Sequence, residues 1–148
     1  MPDDAPPAVP ARMLPKLDEH NRAFWTGGAD GQLLISWCGR CTRWVSPPAA
    51  ACPDCDGELV ERPVSGRGTV FTYTVNHQPF NPAVEVPYVI AIVELEEQTD
   101  LRIATNIVDC GPDSVHIGLP VDVRFERHEG DDETVFVPVF APRVSAAT

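Results

Sequence analysis

The sequence predicts a mainly β chain in which a small cysteine module stands ahead of a five-stranded barrel. Three observations carry that prediction. Sixteen prolines and ten glycines in 148 residues interrupt the chain too often for long helices and favour short strands and turns. Four of the five cysteines lie in two Cys-x-x-Cys pairs within WCGRCTRWVSPPAAACPDC, Trp37 to Cys55. Behind them come five strand-length apolar runs with no helical periodicity between them.

The length suits one compact domain, or one small module joined to one modest domain. A hydrophobic content of 43% is enough for a core. No apolar run approaches the ~18 residues needed to cross a bilayer. The start, MPDDAPPAVPA, places acids and prolines where a signal peptide has basic residues and then an apolar stretch. The expectation is a cytoplasmic protein, in which thiols stay reduced and paired Cys-x-x-Cys motifs bind metal more often than they form disulfides. Residues 1–12 read as a disordered arm and 144–148 as a tail.

The segment 13–31 reads as an N-terminal helix. PKLDEHNRAFW sets Pro15 at a first helical position and acids in the first turn. Leu14, Leu17, Phe24 and Trp25 fall on one side at helical spacing, and Gly27-Gly28 closes the segment. The spacing predicts about three turns with one apolar face. That face is expected to pack on its own domain, which is the commoner outcome, rather than on a partner.

Residues 32–65 form the cysteine module. QLLISW, TRWVSPP and ELVERPV read as short apolar strands around two tight turns. Some thirty residues are too few to bury a self-sufficient core without a metal or another cross-link. Cys38, Cys41, Cys52 and Cys55 make a Cys-x2-Cys-x10-Cys-x2-Cys pattern. Two residues between thiolates let a turn aim both sulfurs at one ion, and two such knuckles complete a tetrahedral site. Four protein ligands leave no position for water, so zinc here is structural and contributes on the order of 10 kcal/mol to folding. A four-thiolate iron site has the same geometry and stays open on sequence alone. A redox dithiol normally uses one pair at a helix start, so that reading is disfavoured. Cys110, beside Gly111-Pro112, reads as an incidental thiol at a strand end.

Residues 66–143 read as the barrel. The strand candidates are Thr69–Asn76, Tyr88–Leu95, Leu101–Val108, Val121–Arg127 and Thr134–Phe140. Val121, Val123 and Phe125 alternate with Asp122, Arg124 and Glu126, the pattern of a strand with one buried face. Tyr88–Leu95 is apolar nearly throughout, the pattern of a strand covered on both sides. Five short strands with no long helix among them suit a small barrel such as an OB-fold.

Charge narrows the ligand classes. Twenty-two acids against eleven bases give −11, which opposes binding to phosphate backbones. Glu85 to Glu133 hold thirteen acids and three arginines, a net of −10. The rest of the chain is near neutral, so an anionic ligand is expected towards the N-terminal half. Arg43, Arg67 in the SGRG turn and His77 in HQPFNP are the candidate ligand-binding residues. For Arg67 and His77, an exposed turn arginine and a polar loop residue are the commoner outcomes. No base, nucleophile and oxyanion hole assemble, so no catalytic residue is assigned.

The order of these parts is informative as a whole. A helix ending in FW precedes CGRC…PPAAACPDC, VSGRGTVFTYTV, PYVIAIVEL and IGLPVDVRFE…VPVF. Over roughly Leu14 to Pro142 it resembles the acyl-CoA-associated family that joins a rubredoxin-like zinc ribbon to an OB-fold, long catalogued as a domain of unknown function. The resemblance implies a non-catalytic accessory subunit of a thiolase-like enzyme. Partners in that family include thiolases, hydroxymethylglutaryl-CoA synthase-like enzymes, polyketide-type acyltransferases and steroid side-chain aldolases. The partner carries the catalytic cysteine or base, and the accessory chain stabilises it or helps to receive the CoA substrate. A short member of this kind points towards lipid and steroid side-chain degradation. The alternative is a nucleic-acid-binding zinc-ribbon and OB module, with Trp37, Trp44, Phe71 and Tyr73 as base-stacking residues. Its opponent is the charge of −11. A rubredoxin-like electron carrier is a third option.

Overall fold

All five predicted barrel strands form, and they close on one another. The computed structural model describes residues 14–80, 82, 84–130 and 133–144. The expected arm at 1–12, and 145–148 of the expected tail, lie outside them. Strands β1 (Leu33–Cys38), β2 (Arg43–Val45) and β3 (Leu59–Val64) make an antiparallel sheet of order β2-β1-β3. Strands β4 (Arg67–Asn76), β5 (Tyr88–Leu95), β6 (Arg102–Ile107), β7 (Pro120–Glu129) and β8 (Thr134–Pro142) form a closed barrel of order β4-β5-β6-β8-β7. Closure comes from β4 pairing with β7 and from a short parallel contact of Ile107 with Phe140. This is an OB-fold, with every edge paired by closure.

Two cores of unequal size explain why the module needs a cross-link. The barrel core gathers Val70, Val93, Leu95, Leu101, Val121 and Phe140, and Leu33 and Ile35 of the ribbon are buried in the same cluster. The ribbon's own cluster is little more than Cys38, Val45 and Cys52, with Cys41, Cys55 and Leu59 against it. At ~25 cal/mol per Å² of buried apolar surface, so small a cluster cannot offset the ordering of its turns. One end of β1 is therefore anchored in the barrel, and the other ends at the cysteines.

The N-terminal helix is shorter than predicted. Helix α1 covers only Arg22–Thr26 and runs into a 3-10 turn over Gly27–Asp30. The Asp18 carboxylate accepts from the backbone N–H groups of His20 and Asn21 at 2.8 and 2.9 Å, and the Asn21 side chain accepts from the Asp18 N–H at 2.8 Å. Those side-chain bonds close a turn that competes with helix over the segment where Pro15 was expected to start one. The same amide contacts hold the Asp18 carboxyl below its usual value. The apolar face does pack on its own domain. Phe24 joins the barrel core, while Leu17 and Trp25 cover Val135, Val137 and Val139 of β8. Gly28 permits this contact, because a Cβ there would lie 2.6 Å from the Phe136 Cβ and 2.7 Å from the Phe125 ring.

Strand β5 also departs from expectation. Val89, Ala91, Val93 and Leu95 are buried, but Ile90 is 40% exposed and Tyr88, Ile92 and Glu94 are only half-buried. A closed barrel has one inside, and no described element lies over the other face. A run of apolar residues cannot by itself distinguish a strand covered twice from a strand with an apolar outer surface.

The turn between β5 and β6 joins ribbon to barrel. Arg67 donates to Glu96 through Nε and Nη2 at 3.1 and 2.9 Å, and the Ser65 N–H donates to Glu97 at 2.6 Å. Gln98 clasps the Trp44 backbone, accepting from its N–H at 2.8 Å and donating to its carbonyl at 3.1 Å. Arg43 reaches Asp100 at 3.4 Å. The Gln98 amide thus substitutes for a neighbouring strand at the edge of β2. Gln98→Ala should lower stability by about 2 kcal/mol, since two neutral hydrogen bonds are lost at a part-buried edge. Urea unfolding should show the loss as a lower midpoint with an unchanged slope.

Candidate metal centre

The four ribbon cysteines converge because each knuckle ends in the same backbone device. Cys38-Gly39-Arg40-Cys41 is followed by Thr42 at φ 52°, and Cys52-Pro53-Asp54-Cys55 by Asp56 at φ 58°. A left-handed residue after the second cysteine turns the chain back and leaves both sulfurs on the inner side of the turn. The Cys41 N–H donates to the Cys38 Sγ and the Gly57 N–H to the Cys55 Sγ, each at 3.3 Å. Gly57 is needed there, as a Cβ would sit 3.0 Å from the Cys55 sulfur.

The resulting geometry fits a tetrahedral ion. All four sulfurs lie within 4.8 Å of one another, with Cys38 and Cys55 at 3.6 Å and Cys41 and Cys52 at 3.9 Å. A tetrahedron of Zn–S bonds of about 2.3 Å has edges of about 3.8 Å. Cys38 and Cys52 are buried, and Cys41 and Cys55 are partly so. Without a cation the thiols compete. The Cys41 amide brings the Cys38 thiol down to about 7, while the Cys55 sulfur, together with burial, pushes the Cys41 thiol up to about 12. A divalent cation removes that conflict by stabilising all four thiolates together. The set can hold zinc, with no coordination position left for a substrate.

The other candidate residues sit in different settings. The Arg67 guanidinium is engaged by Glu96, which raises its pKa and lowers that of Glu96. Arg43 lies between Asp54 and Asp100, at 3.9 and 3.4 Å. His77 is exposed in the connection after β4, beside a turn closed by Asn76 and Gln78. Cys110 is half-buried, and desolvation raises its thiol, the opposite of what a nucleophile needs. The aromatic residues considered for stacking do not form one strip. Trp37 and Trp44 meet edge-on at 4.9 Å, and Trp44 and Tyr73 pack against the barrel core.

Two features escaped sequence reasoning. The 96–100 turn reads as an acidic stretch, with nothing in Glu-Glu-Gln-Thr-Asp to indicate its partners 29 to 57 residues away. A His128–Glu126 pair at 3.2 Å is largely shielded, opposite Val135 and Val137 across the β7–β8 ladder. Its i, i+2 spacing on one strand was the available signal.

Comparison with known proteins supports the same parts in the same order. Residues 25–61 match the family described as "ChsH2, rubredoxin-like zinc ribbon domain", and 61–126 match "ChsH2, C-terminal OB-fold domain". A "DUF35 domain-containing scaffold protein" of Methanothermobacter thermautotrophicus is 40% identical over 108 residues, covering 70% of this chain and 80% of the relative. A "Probable enoyl-CoA hydratase alpha subunit" of Thermomonospora curvata is 41% identical over 137 residues, 90% of this chain. A "3-oxo-4,17-pregnadiene-20-carboxyl-CoA hydratase alpha subunit" of Mycobacterium tuberculosis is 36% identical over 125 residues, 84% of this chain. The chain spans only 40% and 39% of the length of those two subunits. A solved chain titled "Ltp2-ChsH2(DUF35) aldolase" is 37% identical with a TM-score of 0.73, over 88% of this chain and 100% of that one.

Proposed function

On the premise that the chain belongs to the ChsH2 family of zinc-ribbon and OB-fold proteins, we propose that it is a non-catalytic accessory subunit of a thiolase-like enzyme acting on acyl-CoA substrates. Cys38, Cys41, Cys52 and Cys55 are the zinc ligands in this reading. The observation that carries it is the closed character of that site: among the described residues the one convergent metal-binding set is four thiolates. Zinc there supplies rigidity, not an activated water. What this chain's own residues do is hold the ribbon against the barrel, through Gln98, Glu97 and the Arg43–Asp100 pair, and present a fixed surface to the partner.

The substrate class follows from the relatives' names, which are those of CoA-ester hydratase subunits and of an aldolase complex. Our reading of the partner is a lipid or steroid side-chain aldolase or thiolase, and the aldolase among those similar proteins supports its first half. If the chain shares in binding CoA, His77 is exposed for it, whereas Arg43 and Arg67 must exchange a carboxylate for a phosphate. The working place is the cytoplasm, where the cysteines stay reduced; among the described residues no helix is long and apolar enough to cross a membrane.

The test is a three-way assay of acyl-CoA cleavage with the thiolase-like subunit alone, this chain alone, and both together. The combination is expected to exceed the partner alone in rate or lifetime, and this chain alone should give no turnover. Turnover by this chain alone, or a partner indifferent to its presence, would overturn the accessory role.

A further inference from the structure

We propose that the outer face of β4, β5 and β6 is the surface on which the partner enzyme subunit docks, with Phe71 as its anchor. This rests on the accessory-subunit reading and adds the location and chemistry of the interface. The face is built by register. Thr72, Ile92 and Ala104 form one row across the three strands, and Thr74, Ile90 and Asn106 the next. Phe71 is 44% exposed and Ile90 is 40% exposed.

Phe71 follows buried Val70 and faces outward by alternation, and a bulge adds a second outward residue beside it. The β4–β5 register shifts between Val70 and Thr72: Val70 faces Val93, while Thr72 faces Ile92. A bulge re-aims a side chain, and here it turns Thr72 outward beside the exposed Phe71 ring, while Val70 stays buried. The Arg102 guanidinium lies 3.8 Å from the centre of that ring. Glu94, half-buried next to it, holds Arg102 at 3.3 Å. The ring is therefore held in place before any partner arrives, and aromatic and arginine side chains are the residue types that anchor interfaces.

Charge selects the occupant. Residues 85–133 carry a net −10, yet Thr72, Thr74, Ile90, Ile92, Ala104 and Asn106 carry no charge, and Glu94 and Arg102 cancel at the edge of the face. Depletion of charge at the centre of a patch is what marks an interface core. A second copy of this chain would have to meet it with the same patch, bringing two strongly acidic halves within a Debye length of ~8–10 Å. The complementary surface is that of a different chain, with an apolar socket for Phe71 and Ile90 and lysine or arginine at its rim.

The experiment uses the full zinc-loaded chain and the thiolase-fold subunit that co-purifies with it, identified by mass and then produced separately. Phe71→Glu, Ile90→Glu and Ala104→Arg should each weaken binding by at least ~10-fold, the scale of an interface hot spot. Val60→Glu, on an exposed residue of β3 in the separate ribbon sheet, should bind as the parent does. Zinc content and thermal unfolding establish that each variant is folded. Hydroxyl-radical footprinting of the unsubstituted complex needs no variant to fold, and it should show Phe71 and Ile90 protected by the partner. Folded variants that bind normally, or unprotected Phe71 and Ile90 in an intact complex, would overturn the location and leave the accessory role standing. Dispersal of a homodimer by Ile90→Glu, with enzyme binding unchanged, would overturn the choice of occupant. Failure of the parent chain to bind any thiolase-fold subunit would instead remove the accessory role, and this surface with it.

Discussion

Cys38→Ser is expected to lose the metal, melt the ribbon and abolish association with the partner. The ribbon's own apolar cluster is small, and a four-thiolate site contributes on the order of 10 kcal/mol. That is comparable to the whole net stability of a domain. Serine does not ionise as the thiol does, and it removes the sulfur that accepts the Cys41 N–H at 3.3 Å. The damage should spread, because Leu33 and Ile35 on the same strand are 1% and 2% exposed within the barrel core. Metal content should fall from one zinc per chain to near zero, with a lower and broader thermal transition. Cys110→Ser is the matched control and should keep its zinc. A folded Cys38→Ser protein that still binds the partner would show that the site does not support docking.

Gly68→Val is the second large effect, and it acts on the barrel. Gly68 pairs with Leu95 of β5 on one side and with Val121 of β7 on the other, at the place where the barrel closes. A Cβ there would lie 2.5 Å from the Glu94 carbonyl oxygen and 2.8 Å from a Val93 methyl. The first of these is backbone of a central strand and cannot swing aside. The clash should cost about 3 kcal/mol or more, the upper range for overpacking, and denaturant titration should read it directly. Gly39→Ala, whose Cβ would meet only the Trp37 Nε1 at 3.9 Å, should be close to neutral.

These two sites differ in how openly the sequence announces them. Cys38, Cys41, Cys52 and Cys55 are legible because the chemistry of one ion dictates both residue type and spacing. The strands were legible for a related reason: Val121, Val123 and Phe125 alternate because one face of β7 is inside. The start of α1 was not, because Asp18 and Asn21 can serve either as helix residues or as a side-chain-bonded turn, and the turn won. The outer face of β5 was misjudged because Ile90 and Ile92 look the same whether a neighbouring element or a partner chain covers them. Gln98 was out of reach altogether. Its value lies in facing Trp44, and that proximity exists only once ribbon and barrel are folded together. The bulge at Phe71 is of the same kind, since nothing local in TVFTYTV marks which residue is the extra one.

In the proposed role, this chain works as a zinc-bearing part of a larger enzyme. Native mass spectrometry of the tagged protein, purified from its own cells, tests it most directly. The expected species is an intact hetero-oligomer whose mass equals this chain plus a thiolase-fold subunit, with one zinc for each copy of this chain. A lone zinc-free chain at its own mass, under conditions that preserve such complexes, would contradict it.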